Sequence, residues 1–96
     1  MIVVRDVLQA KYGRGDELVQ VMKELGEKFE MAQRIYTDIS GPFFTVVTEN
    51  EVESMDAWES KLQGAFADSS WQDWFSRMVP LVETGRREFY RLESKR

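Results

Sequence analysis

The sequence predicts an α+β fold, in which a four-stranded antiparallel sheet carries helices on one of its faces. Three observations point there. Strand-like and helix-like periodicities follow one another in the order β-α-β-β-α-β. Each helical segment has one apolar stripe, which needs a sheet face to cover. No repeat, linker or low-complexity segment divides the chain, so residues 1–96 read as one domain.

The first strand is expected over residues 2–11 (IVVRDVLQAK), where β-branched side chains mix with charges until Gly13-Arg14-Gly15 turns the chain. Asp16 is placed to cap the helix that follows. From there Leu18, Val21, Met22, Leu25 and Phe29 recur at offsets of 3, 4, 7 and 11, which predicts an amphipathic helix from about 16 to 31. Glu17, Lys23, Glu24, Glu27 and Lys28 form its wet side.

Residues 33–40 alternate, with Ile35, Thr37 and Ile39 on one face and Arg34, Tyr36 and Asp38 on the other. Gly41-Pro42 then leads into Phe43-Phe44-Thr45-Val46-Val47-Thr48, dense in strand formers. A two-residue loop at Gly41-Pro42 would pair Ile39 with Phe44 and Arg34 with Glu49, the second an opposite-charge pair. A slip of one residue would change both pairings.

Ser54 can cap the next helix, with Trp58, Leu62, Ala65 and Phe66 at helical spacing. A break is expected near Asp68-Ser69, after which Ser70 and Asp73 resemble a capping box ahead of Trp71, Trp74, Phe75, Met78 and Val79. Pro80 should end or kink this segment. Gly85 then opens a last strand over residues 86–93, whose basic edge would resist aggregation. These elements make up the ferredoxin-like arrangement.

Two helices cover only one sheet face, and a face left to water should be polar. Here Ile2, Val4 and Leu8 lie on one face of the first strand while Val3 and Val7 lie on the other. On the third, Phe43 and Val47 oppose Phe44 and Val46. A homodimer packed sheet on sheet would cover the second face. The alternative is that these residues serve strand propensity alone.

The opening strand with Tyr12-Gly13-Arg14-Gly15-Asp16-Glu17-Leu18, then Ser54-Met55-Asp56-Ala57-Trp58-Glu59, Asp68-Ser69-Ser70-Trp71-Gln72-Asp73-Trp74 and Pro80-Leu81-Val82-Glu83 carry a resemblance. Over nearly the whole chain, the sequence resembles the dimeric α/β-barrel domains shared by antibiotic-biosynthesis-monooxygenase-like and NIPSNAP-like families. The resemblance implies dimerisation through the sheets and a ligand pocket between each sheet and its own helices. For the monooxygenases it also implies a pocket in which protein groups deprotonate an electron-rich aromatic that meets oxygen unaided. Such sites typically use Asn, Trp, Tyr or His. This chain has a single asparagine, Asn50, and no histidine, which also removes the ligand of the related haem-degrading branch.

Histidine and cysteine are both absent, excluding Cys/His zinc sites, thiol nucleophiles, disulfides and Ser-His-Asp chemistry. A net charge of −4 argues against a nucleic-acid surface. No signal-peptide apolar region and no run near the ~20 residues of a membrane helix is present, so the expectation is a cytoplasmic protein without a membrane partner. Glu49, Glu51, Glu53 and Asp56 lack an EF-hand pattern and read as a solvated acidic loop before a helix. Neither a metal nor a cofactor is expected. Gly13-Arg14-Gly15 lacks phosphate-loop spacing and reads as a connection.

Candidate chemistry rests on two groups of side chains. Among Trp58, Phe66, Trp71, Trp74 and Phe75, the expected core members are Trp58 and Phe75. Trp71 and Trp74, beside the helix break, either wall a pocket for a flat ligand or join that core. Among the strand residues Arg5, Asp6, Arg34, Tyr36, Asp38, Arg87 and Tyr90, a charge on an apolar strand needs a partner or a function. Tyr36 and Asp38 are candidates for an acid/base pair, and Tyr36 and Arg87 for ligand contacts; cross-strand ion pairing is the alternative. The leading expectation is binding of a small hydrophobic or aromatic molecule, with Tyr36, Trp71, Trp74 and Arg87 lining the pocket. The alternatives are cofactor-independent oxygenation, cyclisation or isomerisation of an aromatic or polyketide-like substrate, and a structural or regulatory dimer with no ligand.

Overall fold

A computed structural model of the protein describes residues 1–96. The chain runs β1 (Ile2–Ala10), α1 (Gly15–Phe29), β2 (Arg34–Thr37), β3 (Thr45–Val52), α2 (Met55–Ala67), α3 (Trp71–Met78) and β4 (Val82–Arg91), with a 3₁₀ turn at Val79–Leu81. The strands form one antiparallel sheet in the order β2-β3-β1-β4. This is the ferredoxin-like α+β arrangement that the periodicities predict.

The core lies on the helix side. Val4 and Ala10 of β1 and Val46 and Val52 of β3 meet Leu18, Val21, Met22 and Leu25 of α1, Trp58 and Ala65 of α2, and Trp74 of α3. The odd-numbered residues of β1, Val3, Arg5 and Val7, lie on the opposite face, which no helix covers.

Several local expectations are corrected. Helix α1 begins one residue before Asp16, at Gly15, and Arg14 occupies the N-cap with no side-chain cap bond. Arg14 instead pairs with Glu17 at 2.7 Å, an ion pair placed where the first turn favours a carboxylate. The β2–β3 register matches the expected Arg34–Glu49 pairing. Its turn does not: β2 stops at Thr37 and β3 starts at Thr45, so Ile39 and Phe44 are not cross-strand partners, and the Phe44 carbonyl accepts from the Ala10 N–H of β1 at 2.9 Å instead. Asp38 closes this longer loop, accepting from the Thr45 N–H at 3.0 Å while its own N–H donates to the Thr45 carbonyl. Gly41 takes a φ of +97° inside the loop, a conformation glycine adopts without steric cost. Phe43 and Phe44 therefore leave the sheet and cluster edge-on with Tyr12, at 6.3 and 4.9 Å between ring centroids.

Ser54 caps α2 as expected, its Oγ accepting from the Ala57 N–H at 3.1 Å. Ser70 makes no cap bond with its side chain; Asp68 holds the break by accepting from both the N–H and the hydroxyl of Ser70. Pro80 sits in the 3₁₀ turn that ends the helical region. Strand β4 starts at Val82, so Gly85 lies inside it rather than opening it. Leu8 packs there, and a Cβ on residue 85 would stand 2.7 Å from Leu8 Cδ2.

Candidate functional site

A cavity of about 370 Å³ opens between the sheet and the helices. Strand β1 contributes Asp6 and Leu8, β4 contributes Arg87, and α1 contributes Met22 and Leu25. Helix α2 adds Leu62 and Phe66; α3 adds Trp71, Trp74, Phe75 and Met78; Met31 closes the floor after α1. The alternation of β1 puts Asp6 on the same side as Val4 and Leu8, and the helical period of α3 turns two indoles toward the sheet.

The aromatic wall is a packed set. Trp71 lies 5.3 Å from Phe29, 5.1 Å from Phe66 and 5.0 Å from Trp74, and stacks on Phe75 at 6.2 Å. Trp74 is 3% exposed, and its Nε1 donates to the Val21 carbonyl at 2.8 Å. Its donor is therefore committed to fastening α3 onto α1. Trp71 makes no such bond and presents the half-buried indole of the wall. Phe75, expected in the core, is 40% exposed at the rim. The physical reason is helical geometry: with Trp74 pointing inward, the next residue is rotated about 100° away. Trp58 is buried in the core as expected.

Only two charged residues reach this wall. Asp6 and Arg87 face each other across the β1–β4 ladder. They form a bidentate pair, with Arg87 Nε 2.7 Å from Asp6 Oδ1 and Nη2 3.1 Å from Oδ2. The guanidinium also lies 5.1 Å from the centroid of the Trp58 ring, a cation–π contact that favours this position of the side chain.

Tyr36 and Asp38 lie elsewhere. Asp38 belongs to the β2–β3 loop, and Tyr36 projects from the uncovered face, where its hydroxyl donates to Glu49 Oε1 at 2.9 Å. That hydrogen bond to Glu49, followed by burial, pushes the Tyr36 phenol above its ordinary value. Glu49 is 7% exposed and also meets Arg5 at 2.7 Å and Arg34 at 3.9 Å. The bond to Glu49 in turn raises the Arg5 guanidinium. Glu51 pairs with Lys95 and Arg34 at 2.9 and 3.2 Å, and those bonds, Lys95 first, hold it below the usual carboxylate range. Glu49 and Glu51 are thus sheet residues, not part of the solvated acidic loop expected for them. On β4, Glu88 is held by Arg86 and the Tyr90 hydroxyl, both at 2.9 Å, and Arg5 lies 5.1 Å over the Tyr90 ring.

The structure therefore brings Trp71, Trp74 and Arg87 together around one cavity and places Tyr36 and Asp38 away from it. Asp6 and the three methionines of the wall were not on the expected lining. For Asp6 the signal was present: a charge sharing a strand face with Val4 and Leu8. Asn50 is buried on the helix side, accepts from the Gln33 N–H at 3.3 Å and does not line the cavity.

No protein-family model and no curated protein matches the chain. Solved structures do. An uncharacterised NIPSNAP domain protein from Burkholderia xenovorans is 20% identical, with a TM-score of 0.86 over 98% of this chain and 96% of that one. A NIPSNAP family protein from Agrobacterium tumefaciens is 17% identical, with a TM-score of 0.82 over 93% and 82%. A candidate antibiotic biosynthesis monooxygenase from Nitrosomonas europaea is 10% identical, with a TM-score of 0.75 over 98% and 100%. At these identities the likeness is one of fold, and it is the fold that the sequence resemblance implied.

Proposed function

We propose that the protein binds a small hydrophobic or aromatic molecule in the helix-side cavity, and that it works as a homodimer joined through the uncovered sheet faces. One observation carries the binding reading. An aromatic-walled space of about 370 Å³, ten of whose twelve lining residues are hydrophobic, stands open between the sheet and the helices, within the ~300–1,000 Å³ typical of small-molecule sites. A structural dimer with no ligand would have filled it with its own side chains. The oxygenase reading draws only on the fold likeness and on a relative named as a candidate monooxygenase; its proposed acid/base pair, Tyr36 and Asp38, does not reach the cavity.

The dimer draws support from Val3, Val7 and Val47, which stand among ion pairs on a face with no helix over it. No helix is long and apolar enough to cross a membrane, and a cytoplasmic location is part of the proposal. Equilibrium dialysis against naphthalene tests the cavity: binding that is weakened severalfold by Trp71→Ala supports it, and no binding defeats it. Sedimentation at micromolar concentration tests the dimer, which requires about twice the 11.3 kDa chain mass.

A further inference from the structure

Of the twelve residues around the cavity, ten are hydrophobic, and the other two are Asp6 and Arg87. A charged pair at such a wall has a chemistry of its own. Arg87 commits Nε and one Nη2 hydrogen to Asp6. Its Nη1 group makes no hydrogen bond within the chain, so donors remain. A carboxylate offers about four acceptor positions, so Asp6 also has lone pairs beyond the two that Arg87 occupies. The result is a donor and an acceptor side by side, with their charges already cancelled.

That arrangement discriminates between ligands. The pair keeps part of its water, with the Arg87 and Asp6 side chains 40% and 21% exposed; an acid would bring a further negative charge beside Asp6 and lose its own hydration against the ten hydrophobic residues. A plain hydrocarbon would leave the spare donor and acceptor to find water or nothing. A neutral hydroxyl fits both: its hydrogen goes to Asp6, and its oxygen accepts from Arg87. Hydrogen bonds to charged partners are the stronger kind. The contact between Arg87 and Trp58 favours this position of the donor while the ligand changes.

We infer that Asp6 and Arg87 are specificity-determining residues, which make the cavity select a hydrophobic ligand bearing a neutral hydroxyl, an alcohol or a phenol, over a hydrocarbon and over an acid. The inference rests on the cavity being the ligand site, and the test separates the two. Naphthalene, 2-naphthol and 2-naphthoate are dialysed at neutral pH against the full chain; naphthol should bind about tenfold more tightly than naphthalene, and naphthoate no more tightly than naphthalene. In an Asp6→Leu/Arg87→Leu variant, the ratio of naphthol to naphthalene affinity should fall from about ten to about one, whatever the change in naphthalene binding itself. An Asp6→Ala/Arg87→Met variant, which removes the same acceptor and donor with less added bulk at residue 6, gives the same reading if the first fails to fold. Naphthalene binding with no gain for naphthol, or naphthoate binding tightest, would overturn the inference and leave the cavity reading intact. Failure of all three to bind would overturn both.

Discussion

The two faces of the sheet carry charge in opposite ways. On the helix side one pair, Asp6 and Arg87, stands in a wall of leucine, methionine and aromatic residues. On the other side Arg5, Arg34, Glu49, Glu51, Arg86 and Glu88 are linked to one another and to Tyr36 and Tyr90, with Val3, Val7 and Val47 between them. Charges spread through a network share their desolvation and keep part of their water, so they serve well as the surface of an interface that must dock in one register. The Asp6–Arg87 pair also keeps part of its water, at 40% and 21% side-chain exposure for Arg87 and Asp6, but it has no further charged neighbour in the wall, and its spare hydrogen-bonding capacity is open to whatever fills the cavity. Under the proposed function, cross-strand ion pairs would serve assembly on one face and recognition on the other.

The sharpest way to break this contrast is to damage the helix side. Trp74→Ala removes a buried indole and its bond to the Val21 carbonyl, and should cost about 3–5 kcal/mol in chemical denaturation. A loss below about 1 kcal/mol would mean that α3 is not fastened there as described. On the other face, Glu49→Ala takes the acceptor from Arg5 and Tyr36 at once. Because Arg5 is 41% exposed and regains water, the expected cost is smaller, about 1–3 kcal/mol. If the sheets form the dimer interface, the same variant should also sediment at lower mass. A variant that stays dimeric at full stability would remove Glu49 from the account. Gly85→Ala is milder still: the added methyl meets the end of the Leu8 side chain, which can rotate aside, and lies 3.3 Å from the Val7 carbonyl oxygen, for a cost of about 1 kcal/mol. Thermal denaturation would register it.

Much of this contrast was legible in the sequence, and the limits of legibility have a physical pattern. Whatever depends on near neighbours could be read directly. The apolar stripe of Leu18, Val21, Met22 and Leu25, the Ser54 cap and the Arg34–Glu49 register all follow from local period and turn position. What depends on a partner far along the chain could not. Asp6 announced a need for company, but its partner lies 81 residues away and becomes its neighbour only through the β1–β4 pairing. Gly85 looked like punctuation because nothing local shows Leu8 lying across it. The loop before β3 was misjudged for another reason: Phe43 and Phe44 have strong strand propensity, and tertiary packing against Tyr12 overrode it.

The smallest expected effect, and the one that probes both faces together, is acid sensitivity. On the helix side Arg77 of α3 reaches Glu24 of α1 at 2.5 Å, and that bond holds the Glu24 carboxyl below its ordinary value of 4.5. On the other face Lys95 does the same for Glu51, and Arg86 for Glu88. A carboxyl whose value is lowered by folding stabilises the fold fully above its unfolded value, and loses that contribution as pH falls through the folded one. The melting temperature should therefore hold above about pH 5 and decline toward about pH 3. In each pair the basic partner is exposed and screened, so each share is modest. Glu24→Gln should flatten the decline by loosening α3 in advance and, if the sheets form the proposed dimer, should leave its mass unchanged. Glu51→Gln should flatten it on the other face, and if that face forms the proposed dimer, the acid-induced loss there should coincide with dissociation. If both variants keep the wild-type slope, these ion pairs are not what couples stability to pH; if Glu24→Gln alone dissociates the dimer, assembly does not belong to the uncovered face.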